Sequence, residues 1–300
     1  MVEQLVDFLI TSQNSDGGWG AVPGKDSQTE ATAFALLGLN TVQGGKGTAG
    51  VTHGLRWLAT QQRPDGSWPL STQIAESSWT TSLAVLTLGP FETHRHLALR
   101  GANWLLQQKG RKLGLVESLR YRWARHSMVV ELNPDLQAWS WTPNTFSWVE
   151  PTAYALLAIK KLKPFLPDSE IGERLHQGDL LLYDRMCAGG GWNYGNARVL
   201  GEELWPYPDV TAVALIALQD RQTEAANQQS LRALRLMLTQ VQSGLALSWS
   251  LLCFSLYGQE IVEWKSQLQE RYDETRFLDE IKVVALALLA LSEGAAVFRV

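Results

Sequence analysis

The sequence of 300 residues lacks most of what marks a secreted, membrane-spanning or polyanion-binding chain. Cysteine is scarce: Cys187 and Cys253 are the only two. Two cysteines make no disulfide framework and suit a reducing cytosol. The N-terminus has no positive-then-apolar pattern of a signal peptide, because Glu3 and Asp7 interrupt it early. No apolar run approaches the ~18 residues a spanning helix needs. The longest, Val283 to Leu291, is about half of that. Basic excess is also missing. A net charge of −4 gives no reason to expect nucleic acid or an anionic membrane as a partner. A cytoplasmic protein is expected, with contact at a membrane surface, a partner subunit and a homodimer all left open.

What is present is repetition. Gln13-Asn-Ser-Asp-Gly-Gly-Trp19 returns as Gln62-Arg-Pro-Asp-Gly-Ser-Trp68, with the same step from Gln to Trp. Each copy follows a short half-polar helical run and precedes a more apolar one, Ala31 to Leu39 and Thr81 to Leu88. A third unit starts at Gly101, is interrupted by an insertion over about 109–135, and resumes at Trp139 and Trp141. A fourth passes through Gly189-Gly-Gly-Trp192 to Asp209 and Leu218. The fifth and sixth, Leu231 to Tyr257 and Val262 to Leu291, keep two helices and lose the turn. Six units of about 48 residues fill the chain without a linker, so one domain over 1–300 is expected. With 45% hydrophobic residues it can bury a large core.

The first helix of each pair carries a one-sided apolar stripe and the second is apolar nearly all round. That alternation predicts two concentric rings with the apolar helices inside. Small residues such as Ala33, Ala35 and Gly38 let inner helices approach closely. An open solenoid needs polar terminal repeats. The last helix is no more polar than the others, so a closed ring is favoured.

Helix pairs of this length with Gln-x-x-Asp-Gly-x-Trp turns resemble the squalene cyclase and protein prenyltransferase β-subunit superfamily. The resemblance implies an all-α (α/α)6 toroid and an enzyme of isoprenoid chemistry. Its substrate would be an apolar squalene or polyprenyl chain held in a central cavity and cyclised on protonation. In that family the turn Gln closes a helix end and stacks against the Trp, tying neighbouring units together. The bare residues agree, since Gln can donate to orphan carbonyls of a last helical turn while Trp covers the joint. Trp19, Trp68 and Trp192 are thus read as rivets.

The chemistry candidates lie at the starts of the apolar helices. Glu30, Glu150 and Asp209 each stand two residues before a Thr; in the second unit Ser78-Trp-Thr-Thr81 occupies the place, with Glu76 two residues upstream. Carboxylates favour helix N-termini by about 0.3–1 kcal/mol, which is reason enough for them to be there. If inner-helix starts converge on one mouth, they also form a shared acidic cavity. Asp209-Val-Thr-Ala resembles the end of the cyclase signature Asp-x-Asp-Asp-Thr-Ala, whose middle Asp is the proton donor. Tyr207 and Val210 replace its flanking acids. Trp141, Phe146 and Trp148 crowd one loop, and Trp205 and Tyr207 precede Asp209. Aromatic faces stabilise cations by up to about 2 kcal/mol each when dry. Arg120 and Arg122 in the insertion could grip an anion, although a solvated basic loop is the better account of them.

No cofactor or metal is expected. The Asp-x-Cys and distant His of zinc prenyltransferases are missing, since Asp184-Arg-Met-Cys187 is misspaced and no His follows His176. Adjacent aspartates, as in metal–diphosphate motifs, do not occur. The alternative to an isoprenoid enzyme is a non-catalytic toroid that binds a lipid, a glycan or a partner protein.

Overall fold

In the computed structural model, residues 1–42, 48–74, 79–114, 116, 118–119, 123 and 132–300 are described. Glu76, Arg120 and Arg122 lie outside them, and with them most of the insertion. Among the described residues twelve α-helices form six pairs. The outer members are α1 (Val2–Thr11), α3 (Ala49–Thr60), α5 (Arg95–Gln107), α7 (Asp168–Asp184), α9 (Ala225–Leu238) and α11 (Val262–Thr275). The inner members are α2 (Thr29–Leu39), α4 (Thr80–Leu88), α6 (Val149–Leu162), α8 (Pro208–Ala217), α10 (Gly244–Leu256) and α12 (Ile281–Leu291). A two-stranded hairpin, β1 (Arg198–Val199) and β2 (Glu202–Glu203), precedes α8.

Each inner helix packs against the next, and α12 packs against α2, so the ring closes. The seam is also bonded: Ile281 N donates to Ala21 O at 2.9 Å. Every residue of α4, and all of α2 except Glu30, is buried. Outer helices bury one stripe, as Leu5, Val6 and Leu9 do in α1. The double ring is therefore the sorting of two helix types by how much of their surface water must reach. No described helix is long and apolar enough to cross a membrane.

The Trp turns are joints between units. Trp19 Nε1 donates to Leu9 O and Trp68 Nε1 to Leu58 O, both at 2.7 Å. Trp139 bonds Leu105 O at 2.9 Å in the same way, and Trp192 bonds Leu182 O. Each indole thus satisfies an orphan carbonyl in the last turn of its own outer helix. That task was expected of the Gln. Gln13 instead donates to Gly17 O at 2.7 Å and to Gly50 O at 2.8 Å, on the following outer helix. Gln62 repeats this with Gly66 O and Leu97 O, both at 2.9 Å. The amide side chain reaches across the joint because the indole already occupies the nearer carbonyl. A Thr in the first turn of the inner helix closes each Trp turn: Thr32, Thr81 and Thr211 accept the turn Trp N–H at 2.9 Å, and Thr152 at 3.2 Å. Gly54 and Gly101 on the next outer helices leave room for the ring. A Cβ there would lie 2.6 Å from Trp19 and 2.7 Å from Trp68.

Candidate functional site

Glu30, Glu150 and Asp209 are each the second residue of an inner helix, and so is Lys282 of α12. In the second unit the Thr81 bond to Trp68 places Trp79, two residues earlier, at the same register. Trp79, not Glu76, is therefore the repeat equivalent of the acids in the second unit. In the fifth it is Leu245. One rim of the ring thus carries three carboxylates, one ammonium, one indole and one isobutyl group.

The acids do converge, and Lys282 gathers them. Its Nζ donates to Glu30 Oε1 at 2.8 Å and lies 4.0 Å from Glu150 Oε1. Since α12 and α6 stand on opposite sides of the ring, this pair spans the mouth. Lys282 Nζ also lies 5.4 Å from the centre of the Phe34 ring. Tyr154 OH donates to Glu150 Oε1 at 3.0 Å, and Tyr194 OH donates to Asp209 Oδ2 at 2.9 Å. A cation in the first turn of a helix opposes the helix dipole by about 0.3–1 kcal/mol. Glu30 and Glu150 outweigh that cost.

Burial pushes the Glu150 carboxyl above its usual range; Lys282 and the Tyr154 hydroxyl pull the other way, and the charges of Glu30 and Asp209 add to the rise. Burial pulls Lys282 down, but Glu30 and Glu150 more than offset it, so its ammonium titrates above the ordinary lysine range. Burial, then the charge of Glu150, raises the Tyr154 phenol well above its usual value. The result is a carboxyl biased toward its proton beside a lysine held charged.

Aromatic rings floor this mouth. Trp79 stacks on Tyr154 at 6.2 Å and meets Trp141 edge-on at 5.0 Å. Beneath them Trp249 touches Phe34 at 5.9 Å, Tyr154 at 6.2 Å and Phe298 at 5.3 Å. Phe34, Tyr154 and Trp249 come from α2, α6 and α10, alternate members of the inner ring. Their rings therefore touch across the axis and close the hollow at that depth. The central cavity expected from the repeat does not run through the ring there. The acids and Lys282 stand one helical turn from this layer, on the side where the inner helices start.

The other aromatic candidates are dispersed. Tyr207 packs on Tyr194 at 5.4 Å and so borders Asp209. Trp148 packs on Gly195, where a Cβ would lie 2.6 Å from its ring. Phe146 is exposed beneath Arg111, whose guanidinium carbon lies 5.5 Å from the ring centre. Trp205 is exposed and lines a groove together with Leu236 and Met237. Trp139 is a buried joint like Trp19. Lys282 and Tyr154 escaped the sequence reading, and Trp79, in the stretch it set at the acids' place, was passed over for Glu76. Register along the inner helices marks Trp79 and Lys282; Tyr154 lies one turn after Glu150 on α6. Among the described residues no group of His, Cys, Asp and Glu could hold a metal ion.

No family model matches the sequence. Squalene–hopene cyclase of Zymomonas mobilis is 38% identical over 78 residues, which are 22% of this chain and 12% of that protein. Mouse lanosterol synthase is 32% identical over 109 residues, 30% of this chain and 15% of the relative. Drimenyl diphosphate synthase of Streptantibioticus cattleyicolor is 42% identical over 65 residues, again 22% and 12%. The matches thus span 12% to 15% of those relatives' own length. Among solved structures, the type II terpene cyclase MstE of Scytonema, in complex with geranylgeranyl dihydroxybenzoate, superposes with a TM-score of 0.59 at 17% identity. That superposition covers 99% of this chain and 96% of the cyclase. An α-1,6-mannanase of Salegentibacter superposes with a TM-score of 0.60 at 12% identity, covering 99% and 98%. The same ring hosts unrelated chemistries. In Trp-turn repeat and in helical ring alike, the chain resembles the squalene cyclase and prenyltransferase β-subunit superfamily, and its fold is the α/α toroid of the type II terpene cyclases.

Proposed function

We propose that this is a terpene cyclase-like protein that takes an apolar isoprenoid at the acidic mouth and starts its cyclisation by protonation, with Glu150 as the proton donor. The observation that carries this is Glu150 itself: a largely buried carboxyl that burial raises above its usual range, hydrogen-bonded by Tyr154, with Trp79 stacked on that ring. In the step, the Glu150 O–H bond breaks and a C–H bond forms at the alkene, leaving a carboxylate and a carbocation. Asp209, which the signature alone favoured, instead accepts from Tyr194, and its charge acts on Glu150. Lys282 opposes a carbocation by about 3 kcal/mol at ~5 Å in an effective dielectric of about 20. Glu30, bonded to it, offsets that, and the carboxylates outnumber the ammonium. Incubation with squalene and with C15–C30 prenyl diphosphates, followed by analysis of lipid extracts, tests the reading. A new cyclic product should appear and should be lost in Glu150→Gln. Extracts identical to a no-protein control would end it for those substrates.

The aromatic layer across the axis favours a second reading, a non-catalytic toroid that holds a lipid, a glycan or a partner protein at its rim. Native mass spectrometry of protein taken from cells separates the two. A retained ligand or subunit with no turnover supports the second.

A further inference from the structure

The ring is also crossed at the far ends of its inner helices. After α12 the chain turns at Glu293, left-handed at φ 59°, and runs through Gly294–Phe298 to Val300. Lys161 Nζ donates to Arg299 O at 2.9 Å, and Gln219 Nε2 donates to Phe298 O at 2.8 Å. Val300 N in turn donates to Gln219 Oε1 at 3.3 Å. Lys161 lies at the end of α6 and Gln219 just past α8. Because α12 and α6 are opposite members of the ring, this segment is a strap across the axis. It lies at the helix ends, away from the starts that carry Glu30, Glu150, Asp209 and Lys282.

The strap touches two spaces. Toward the axis, Phe298 is wholly buried, and its ring lies 5.3 Å from that of Trp249 in the aromatic layer. Elsewhere, Ala295 and Ala296 border a cavity of about 340 Å³ lined by Leu251, Leu252 and Leu289. Lys265, Glu293 and Arg299 complete that lining; Glu293 and Arg299 are exposed, so the cavity is entered from water. Leu252 follows Trp249 by one turn of α10, which makes the cavity and the axis neighbours. The three hydrogen bonds that tie the strap to α6 and the end of α8 all go to its backbone. Segments held this lightly open before the core does.

We propose that Gly294–Val300 is a gate. When Phe298 withdraws, the cavity joins the axis and takes a flexible hydrocarbon chain, prenyl or acyl, against Trp249. That chain replaces the apolar surface the Phe298 ring gives up. A site kept mostly shut by its own gate binds with an affinity reduced by the fraction open. Loosening the strap therefore tightens binding without adding any contact to the ligand. The gate holds whether or not the acids do any chemistry, because they stand at the other ends of the inner helices.

Fluorescence titration of the full chain with the apolar dye N-phenyl-1-naphthylamine tests it. The parent should bind weakly. The double variant Lys161→Met, Gln219→Ala frees the strap and keeps Phe298, and should bind at least about tenfold more tightly. Phe298→Ala should gain as well, and thermal melts should show both variants folded. The better competitor of farnesol and dodecanol tells a prenyl from an acyl ligand. In the parent, where no substitution disturbs the fold, that competitor should speed hydrogen exchange across 294–300. A gain confined to Phe298→Ala overturns the proposal, since that variant makes a void whatever the strap does. Exchange across 294–300 that the ligand leaves unchanged, or slows, overturns it too.

Discussion

Replacing Lys282 with Met asks whether a single ammonium holds the acidic mouth together. Met keeps much of the apolar stem and removes the charge. Glu30 then loses its 2.8 Å partner and Glu150 the cation at 4.0 Å. Stranding one partner of a fully buried ion pair costs about 3–5 kcal/mol, whereas a pair in water is worth about 0–1 kcal/mol. Lys282 and Glu30 are 24% and 21% exposed. The loss should fall between those limits, at about 2 kcal/mol. Spread over the unfolding entropy of a chain this long, about 2 kcal/mol lowers Tm by about 3 °C. The dependence on pH identifies the cause. Glu150 already titrates above its usual range, and without Lys282 it must rise further. A carboxyl raised on folding destabilises above its unfolded pKa, about 4.3, and stops doing so as pH falls through that value. The gap between parent and variant should therefore be widest near neutral pH and close toward about pH 4.5. On the alkaline side the raised Lys282 contributes fully below about pH 10.4 and loses its contribution as pH passes its folded value. Thermal melts followed by circular dichroism from about pH 4.5 to 8 measure the gap. A difference that stays constant across that range would refute the electrostatic account.

Two further substitutions probe the packing. Trp249→Ala removes an indole that touches three other rings at the axis, and should cost about 3–5 kcal/mol in urea denaturation. The apolar space it leaves should bind benzene, raising Tm of the variant and not of the parent; a variant indifferent to benzene would mean that the layer had collapsed. Gly54→Ala places a Cβ 2.6 Å from the Trp19 ring and 2.9 Å from Leu36, and overpacking of this kind should cost about 1–3 kcal/mol by the same measurement. An unchanged midpoint would show that the joint has slack.

The ring was legible because its determinants are local. Asp-Gly turns with a following Trp, and the contrast between half-polar and fully apolar helices, gave the pairs and their inner or outer place. Convergence of Glu30, Glu150 and Asp209 followed from their common position two residues before a Thr. Lys282 was not legible by that rule, because the sixth unit has no Trp turn and no Thr to set the register. Glu76 was chosen by nearness in sequence, whereas the hydrogen bond of Thr81 to Trp68 fixes the register and selects Trp79. The filled axis was hidden for another reason. Trp249 sits in a helix whose turn has worn away, and whether an aromatic side chain walls a hollow or blocks it depends on what faces it from across the ring.

Because α12 seals against α2, the earliest inner helix made by the ribosome waits for the last before it is covered. Until Ile281 reaches Ala21, one flank of α2 stays uncovered while the roughly 240 residues between α2 and α12 are still being synthesised. Late closure of so long a loop should make folding slow for an all-helical chain, and it places the burden of protecting the nascent protein on whatever holds that first apolar flank in the meantime.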